Sequence, residues 1–430
     1  MRIFIPDELS ISTAFSPLKR SFLYTFAFVP TVITPRQIAA VTPPPHTVMI
    51  AEGNQAIDFA TPYDVVHINF KTTLAPTAYD IADRFRRKGS IVVLSGYHPS
   101  ALPEEAKLHA DAVIIGDAVT LWPSVVRDLE NKGLQQFYKL EGSCGMLVLP
   151  STKNIHPLGH QLVNAIEATR GCPQRCDFCQ DSNIRDGAVF RARPVEDVIE
   201  EIASLRQKIF FFTDFSLTID LSYTKALFRG MRGLGKKFIC GGNVDVLAKD
   251  DELLRLSHDA GCIEWISGFE TFTQEALEQA HKKTNLVDQY SAAVKKIHQN
   301  KMAVFGTFVV GFDEDTPGIF PAMQNHIREL GIDAVNFAIL TPYPGTPLFQ
   351  RLEHEGRILT HDWSKYNRET VVFTPKNMSR GELEAGFVHL MRYFGALSYL
   401  GYQTMRGLRL GFYPFISMFA GNLGQYMKAV

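Results

Sequence analysis

Short runs of β-branched and aromatic residues alternate with helical patterns twice along this chain, and this alternation limits the fold more than any other feature. Each run is long enough for one strand, and each intervening segment is long enough for one helix. This spacing is typical of βαβ units, in which helices cover both faces of a parallel sheet. The sequence therefore predicts an α/β fold built in two successive parts.

The first part predicts a five-stranded, doubly wound parallel sheet. Its strand candidates are residues 1–6, 47–52, 64–70, 90–96 and 111–117. Sheets of this kind bind ligands beyond the carboxyl ends of their strands. The candidate ligand-binding residues are those at the carboxyl ends of the last two strands, namely Ser95, Gly96, His98 and Gly116. For His98, a loop histidine that hydrogen-bonds its own backbone is an equally good interpretation.

The second part has six strand candidates with helical patterns between them. They are residues 165–171, 208–214, 237–242, 263–270, 302–312 and 333–340. Six β/α units in series form either an open sheet or a barrel that lacks two of the usual eight units. In both arrangements the strand ends and the loops after them form the site. From about residue 379 the chain is helical and aromatic, and residues 382–405 predict one long amphipathic helix.

Composition narrows the class of protein and its surroundings. Lys and Arg total 44 against 45 Asp and Glu, so the net charge of −1 gives no general attraction to nucleic acid. No apolar run reaches the ~18 to 20 residues that span a bilayer, and Asp7 and Glu8 stand where a signal peptide needs its apolar core. Six cysteines are too few for a disulfide framework. We therefore expect a cytoplasmic protein whose clustered thiols bind metal or carry redox chemistry.

Three cysteines lie close together directly after the first strand of the second part. Cys172, Cys176 and Cys179 have CxxxCxxC spacing on a loop that begins with Gly171. Iron–sulfur clusters usually take four cysteines, so three thiols indicate a cluster with one iron open to another ligand. A zinc site completed by His156 or His160 and a set of unrelated buried thiols are the alternatives.

This motif resembles the signature of radical S-adenosylmethionine (SAM) enzymes. The resemblance implies that the three cysteines hold a [4Fe–4S] cluster and that the amino and carboxylate groups of SAM chelate the fourth iron. An electron from the reduced cluster then cleaves the sulfonium and gives a 5′-deoxyadenosyl radical. The family also implies that Phe178 packs over the adenine, and that a reductase, flavodoxin or ferredoxin donates the electron.

Four further segments resemble motifs of the same family. They are residues 211–218, 268–271, 307–317 and 336–348. By this resemblance Asp214 meets the methionyl amino group, and Glu270 approaches the ribose or the methionyl end. In the third segment Gly311 and Glu314 match the family pattern, whereas Thr307 stands where the first glycine of that pattern would be. The resemblance implies that these residues shape the SAM site.

Residues 94–123 and 362–387 are similar to a subgroup that carries a cobalamin-binding domain ahead of the radical domain. The resemblance implies cobalamin beside the SAM site and methyl transfer to an unactivated carbon. The chain departs from the pattern because it has no DxHxxG motif and no histidine in residues 1–45. A first domain that serves only as a scaffold is therefore the alternative.

Together these observations predict a cobalamin-binding-like doubly wound sheet, a partial (β/α)6 TIM-type barrel and a helical C-terminal extension. We place the sheet in residues 1–140, a linker in 141–162, the barrel in 163–360 and the helical region in 361–430. The aromatic C-terminal segment closes the open barrel or lies on a membrane surface, and it favours an apolar small-molecule substrate. Cyclisation or rearrangement without cobalamin, methylthiolation, and a non-enzymatic iron–sulfur redox sensor are the alternative functions.

Overall fold

The computed structural model describes residues 1–7, 33–51, 57–139, 163–184 and 187–429 of the 430-residue chain. The predicted linker 141–162 lies outside the described residues, and so do Cys144, His156 and His160. Within the described residues the chain forms two parallel sheets with helices packed against them and a group of C-terminal helices.

The first sheet has six parallel strands in the order β2-β1-β3-β4-β5-β6. The strands are β1 (Arg2–Pro6), β2 (Thr47–Ala51), β3 (Val65–Asn69), β4 (Ile91–Ser95), β5 (Ala112–Ile115) and β6 (Phe137–Lys139). The prediction of five strands was wrong by one. Strand β6 has only three residues, fewer than the four to eight of a recognisable strand pattern, and its pairing with β5 defines it.

Helices cover both faces of this sheet. They are α1 (Thr34–Ala40), α2 (Ala75–Arg87), α3 (Tyr97–Ala101), α4 (Pro103–Leu108) and α5 (Ala118–Glu130). Successive strand residues point to opposite faces. Thus Phe4 packs with Phe85 of α2, whereas its neighbour Ile3 lies in the cluster that contains Trp122 of α5. The first part is therefore doubly wound, as the near-continuous apolar strands indicated.

The second sheet also has six parallel strands, in the sequential order β7-β10-β11-β12-β13-β14. These are β7 (Val163–Ile166), β10 (Ile209–Phe212), β11 (Lys237–Gly241), β12 (Cys262–Glu270), β13 (Ala303–Val310) and β14 (Ala334–Ile339). The short strands β8 (Thr169–Arg170) and β9 (Arg191–Ala192) form a separate antiparallel pair. Among the described strands β7 and β14 are unpaired edges, so the barrel is partial, as predicted.

All the helices of the barrel except the first contribute to a single apolar cluster with the strands. The barrel helices are α6 (Gln180–Asn183), α7 (Val195–Ser204), α8 (Leu221–Met231), α9 (Val244–Lys249), α10 (Asp251–Ala260), α11 (Gln274–Gln279), α12 (Tyr290–Gln299), α13 (Ile319–Leu330) and α14 (Pro347–His354). The carboxyl ends of the strands and the loops after them are left at one edge, where the site is expected.

Three helices follow the barrel: α15 (Arg380–Phe394), α16 (Leu397–Gly407) and α17 (Phe412–Ala429). The prediction of one long helix was wrong, because α15 ends at Gly395 and Ala396 has an extended backbone that begins α16. Helix α17 packs against β12, β13 and β14, which fits the expected closure of the open barrel. Of the helices that are described, none has the length and apolar character needed to cross a membrane.

Candidate functional site

The three clustered cysteines lie on the loop between β8 and α6. Gly171 opens this loop with a φ of 89°, and a Cβ at this position would lie 2.0 Å from the carbonyl oxygen of Val189. The close approach allows the backbone N–H of Cys172 to donate to the carbonyl of Gly187 at 2.7 Å. Only glycine fits this turn, and it places the first cysteine next to the chain that returns from α6.

The second half of the loop is wound around one amide side chain. Asn183 Nδ2 donates to the carbonyl oxygens of Cys176 and Cys179, each at 2.7 Å. The backbone N–H of Cys179 donates to the carbonyl of Cys176 at 2.9 Å. These bonds fix the CxxC turn, so its two thiols are positioned before any metal binds.

The donor set fits a cluster better than a single metal ion. All three thiols are free. In the part of the chain that is described, no three His, Cys, Asp or Glu side chains are close enough together to hold one ion. Tetrahedral zinc with bonds of about 2.3 Å draws its sulfurs close together, whereas each thiolate of an iron–sulfur cluster binds its own iron. The separation of the three thiols in space therefore favours an iron–sulfur cluster over a single metal ion.

Burial makes these thiols poor acids in the absence of metal. It raises the pKa of all three, and that of Cys179 to about 12. The ammonium group of Lys282 partly opposes this rise for Cys172 and Cys176. Since iron binds the thiolate, metal binding must supply the free energy of deprotonation.

A buried ion pair lies beside the cysteine loop. Lys282 Nζ is 3.0 Å from Oε1 of Glu270, and both side chains are largely buried. Burial lowers the pKa of Lys282, but Glu270 and the thiols of Cys176 and Cys179 outweigh it and raise this pKa above its ordinary value. The ammonium therefore stays charged and interacts electrostatically with all three thiols of the cysteine loop.

The turn that carries Glu270 is strained and tightly held. Glu270 has a φ of 64°, which a side chain other than glycine rarely adopts. Asn285 Nδ2 donates to the carbonyls of Gly268 at 2.7 Å and Phe269 at 3.0 Å, and the hydroxyl of Tyr290 donates to the carbonyl of Phe269 at 2.6 Å. These bonds hold the Glu270 carboxylate at the end of β12. Backbone strain of this kind is common at functional sites.

Asp214 supports the chain that leads into the cysteine loop. Its carboxylate accepts hydrogen bonds from the backbone N–H of Ala168 at 3.2 Å, from the hydroxyl of Thr169 at 2.6 Å, and from the backbone N–H of Thr169. Burial raises its pKa to about 7. Asp214 thus has a positioning role, and its contact with the SAM amino group stays a prediction.

The remaining residues predicted for the SAM site lie on neighbouring elements. The Phe178 ring meets Phe312 edge to face, with ring centroids 5.9 Å apart. Thr307 is paired in register with Gly268, so it lies beside the turn of Glu270. Gly311 has a φ of 103°, and Glu314 follows it and is partly exposed. The sheet thus places these residues at one edge, but their contacts with SAM stay predictions.

The sequence did not single out Asp315, which organises the loop after β13. Its Oδ2 accepts from the backbone N–H of Gly311 at 2.8 Å and of Phe312 at 3.0 Å. Burial raises the pKa of Asp315 to about 6. The only sequence signal for this role is an Asp that stands three or four residues after the backbone N–H groups that donate to it. This signal is weak.

The candidate residues of the first sheet also meet at the carboxyl edge of its strands. The Ser95 hydroxyl is hydrogen-bonded to His67 Nε2 at 2.8 Å and to Asn69 Nδ2 at 2.9 Å. Gly96 has a φ of 108°, and the backbone N–H of Gly116 donates to the hydroxyl of Ser100 at 3.0 Å. These hydrogen bonds make the edge rigid, and Gly96 and Gly116 leave two of its positions without side chains.

His98 belongs to the support of this edge. Its ring is fully buried, and its Nε2 lies 3.0 Å from Oε1 of Glu105, which also accepts from Nε1 of Trp363 at 3.1 Å. The structure does not show the bond to its own backbone that the sequence left open. Binding of a cofactor by His98 stays a prediction, and the ring links the first sheet to the chain after the barrel.

One buried arginine joins the two strand edges. Arg170, two residues before Cys172, donates through Nη1 to both carboxylate oxygens of Asp117 at 3.0 Å. Its Nη2 donates to Gln37 at 2.8 Å and to Glu167 at 2.6 Å. Asp117 directly follows Gly116 at the end of β5. The cysteine loop therefore lies against the carboxyl edge of the first sheet.

Known proteins resemble this chain in sequence and in fold. Residues 166–327 match the family described as the radical SAM superfamily. Over 342 residues the chain is 31% identical to the bacteriochlorophyllide d C-12(1)-methyltransferase of Chlorobaculum tepidum, covering 77% of this chain and 74% of that protein. The bacteriochlorophyllide d C-8(2)-methyltransferase of the same organism is 28% identical, covering 77% of this chain and 78% of that protein.

A solved structure extends the likeness across both sheets. It is that of the radical SAM methyltransferase TsrM from Kitasatospora setae with cobalamin and a [4Fe–4S] cluster bound, and the TM-score is 0.66. The match covers 82% of this chain and 74% of that one at 12% identity, so it speaks for the fold alone.

Proposed function

Because the chain belongs to the radical SAM superfamily, whose enzymes use a [4Fe–4S] cluster and SAM, we propose that it is a cobalamin-dependent methyltransferase acting on a carbon of an apolar small molecule. Its relatives are named methyltransferases, which supports the reaction class and argues against a redox sensor. The observation that carries the proposal is the Arg170–Asp117 pair, because it holds the cysteine loop against the edge where a doubly wound sheet binds its ligand.

Under this proposal the two cofactors have separate sets of residues. Cys172, Cys176 and Cys179 hold the cluster, and its open iron takes SAM. The residues around SAM are Phe178, Asp214, Glu270, Thr307, Gly311 and Glu314. Ser95, Gly96 and Gly116 would form the edge that holds cobalamin, and His98 would support that edge. When bound, the cluster supplies the electron that cleaves SAM, and cobalamin supplies the methyl group.

The protein itself supplies charge, position and exclusion of water. Lys282 places a buried positive charge beside the anionic thiolates, which favours the added electron. The strained turn at Glu270 fixes one carboxylate at the end of β12, and Asp214 fixes the start of the cysteine loop. Because the groups are buried, few water molecules compete with substrate for a reactive radical.

The inner face of the partial barrel supports an apolar substrate. Partly buried apolar side chains alternate with the helix-facing core on three strands, namely Ile209 and Phe211 on β10, Ile266 on β12 and Phe305 on β13. Thr307 on β13 and Asn336 on β14 are paired in register and add two polar residues. The two relatives are named for a bacteriochlorophyllide, a large and mostly apolar molecule.

The proposal includes an electron donor and a location. A ferredoxin, a flavodoxin or a reductase supplies the electron, since no group of the described protein can. A cytoplasmic location fits a chain whose described thiols are all free, because reducing compartments keep thiols in this state.

Cobalamin retention by the full chain tests the proposal. The protein is purified anaerobically, its cluster is rebuilt, and hydroxocobalamin is added before gel filtration. We expect one cobalamin per chain, a loss of most of it in Gly116→Val, and full retention in Gly133→Val, whose site is away from the strand edge. If the wild-type chain retains no cobalamin, the methyl donor is lost, and the cyclisation or rearrangement alternative takes its place.

A further inference from the structure

Helix α16 buries Tyr399, Gln403 and Gly407 and exposes several large apolar side chains. Gln403 is 1% exposed and donates through Nε2 to the carbonyl of Ile332 at 2.9 Å. Arg406 donates through Nη2 to the carbonyl of Gly331 at 2.9 Å. In contrast, the exposed fractions are 65% for Leu397, 69% for Met405 and 60% for Leu408. A helix on a water-exposed surface shows the opposite arrangement.

Exposed apolar residues recur along α16 and the turn after it. Leu397 and Met405 are eight residues apart and lie toward the same side of α16, Leu408 directly follows the helix, and Phe412 begins α17. Tyr402 is also half exposed beside them. We call these five residues the α16 stripe. A contiguous apolar patch of this kind marks an interaction site, whereas single exposed apolar side chains do not.

Packing of the C-terminal helices on the barrel does not use the α16 stripe. Helix α17 is attached by its own buried amides: Asn422 Nδ2 donates to the carbonyl of Asp333 at 2.9 Å, and Gln425 Nε2 contacts the sulfur of Met391 at 3.0 Å. The helices therefore close the barrel with one side and leave the α16 stripe on the other.

The charge of this region is uniformly positive. Residues 385–430 contain four Arg and Lys residues and no Asp or Glu. Arg392 and Arg409 are exposed, and neither takes part in an ion pair within the described part of the chain. Apolar residues beside unpaired cations are the combination by which helices bind the interface of anionic bilayers.

We propose that the α16 stripe binds the surface of an anionic lipid bilayer, with Arg392 and Arg409 facing the headgroups. The helix lies on the membrane, because no described helix is long and apolar enough to cross it. A second copy of the chain fits this surface less well, since a two-fold interface brings the same positive patch against itself. The proposal does not depend on cobalamin or on the identity of the substrate.

Sedimentation with lipid vesicles tests the proposal on the full chain. The vesicles contain phosphatidylcholine alone or an equal mixture with phosphatidylglycerol. We expect the wild type to partition at least about ten-fold more strongly into the anionic vesicles. The double variant Met405→Glu/Leu408→Glu is expected to lose at least about ten-fold of this partition, because it removes two inserted side chains and adds two repelled charges.

The matched control is Leu108→Glu/Leu359→Glu, which changes two exposed leucines far from α16 in sequence and adds the same charge. It must bind anionic vesicles as the wild type does, and both variants must keep the wild-type melting temperature. Failure of the wild type to bind overturns the proposal, and so does an equal loss in both variants. A dimer without lipid that Met405→Glu/Leu408→Glu dissociates also overturns it, in favour of a second copy.

Discussion

The ammonium group of Lys282 lies 3.0 Å from the carboxylate of Glu270, in a buried position beside the thiols of Cys176 and Cys179. A Cβ on Gly268 would lie 2.2 Å from Oε1 of Glu270 and 3.4 Å from Lys282 Nζ, so a side chain at residue 268 would displace the Glu270 carboxylate from its present position. One cation thus faces a carboxylate and the thiolates that would hold the cluster. The positive charge of Lys282 offsets part of the negative charge of Glu270 and the thiolates.

Replacing Lys282 by methionine should make the cluster harder to reduce. The substitution keeps the length of the side chain and removes a positive charge that interacts electrostatically with the thiols, so the added electron loses an attractive interaction. We expect the midpoint potential to fall by on the order of 100 mV. A redox titration followed by electron paramagnetic resonance measures this potential directly and does not require substrate.

The control is Lys283→Met, which removes an equal charge from the exposed neighbouring residue. Its cluster should have the wild-type potential, since solvent screens an exposed charge. A Lys282→Met cluster with an unchanged potential and full iron content would show that this charge does not act on the cluster.

Gly96→Ala should destabilise the first sheet more than Gly89→Ala. Both glycines have a positive φ, but a Cβ at position 96 would lie 2.5 Å from the carbonyl oxygen of Phe70, whereas a Cβ at position 89 meets nothing within 4 Å. We expect a loss of about 1 to 2 kcal/mol of unfolding free energy at position 89 and at least about 3 kcal/mol at position 96. Urea denaturation followed by circular dichroism gives both values, and equal losses would mean that the loop at Gly96 yields easily.

The stability of the barrel should fall as the pH rises because of Glu264. This residue is buried on β12, and burial raises its pKa to about 8 from an ordinary 4.5, although Ser417 of α17 partly opposes the rise. The folded state therefore holds a proton that the unfolded state releases. The contribution is complete below pH 4.5 and is lost as the pH rises to about 8, at about 1.4 kcal/mol per pH unit.

The variant Glu264→Gln removes this titration, so its melting temperature should exceed that of the wild type at pH 8 and approach it at pH 5. Glu275→Gln, on the barrel surface at the start of α11, is the control and should follow the wild type. If the difference in melting temperature between wild type and Glu264→Gln stays constant from pH 5 to 8, the role of Glu264 is contradicted.

Much of the fold follows from the sequence because local patterns encode it. Five of the six apolar runs of the second part became β10 to β14, since each was long enough to be recognised. The first run, residues 165–171, was placed wrongly: only its first two residues belong to β7, and Thr169–Arg170 form the separate strand β8. Strand β6 and the break between α15 and α16 were missed for different reasons. A three-residue strand is defined by its partner β5, and Gly395 is tolerated inside many helical patterns.

The site was only partly predictable, because sequence spacing does not encode contacts between distant residues. The three cysteines stand within eight positions and are evident, whereas Arg170 and Asp117 are 53 residues apart and Gln37 and Glu167 are 130 apart. Lys282 lies in a turn after α11 with no pattern of its own. Its role appears only when the turn of Glu270 brings it back to the cysteine loop.

The central claim is that three thiols hold a cluster whose fourth iron is open to SAM, and the most direct measurement is nucleoside release by the anaerobically rebuilt protein. With dithionite and SAM, the wild type should contain about four irons per chain and release 5′-deoxyadenosine. Cys179→Ala should lose this release and keep its fold, while Cys240→Ala, changed at a buried thiol away from the loop, should retain it. Wild-type protein that holds four irons and releases no nucleoside would contradict the account.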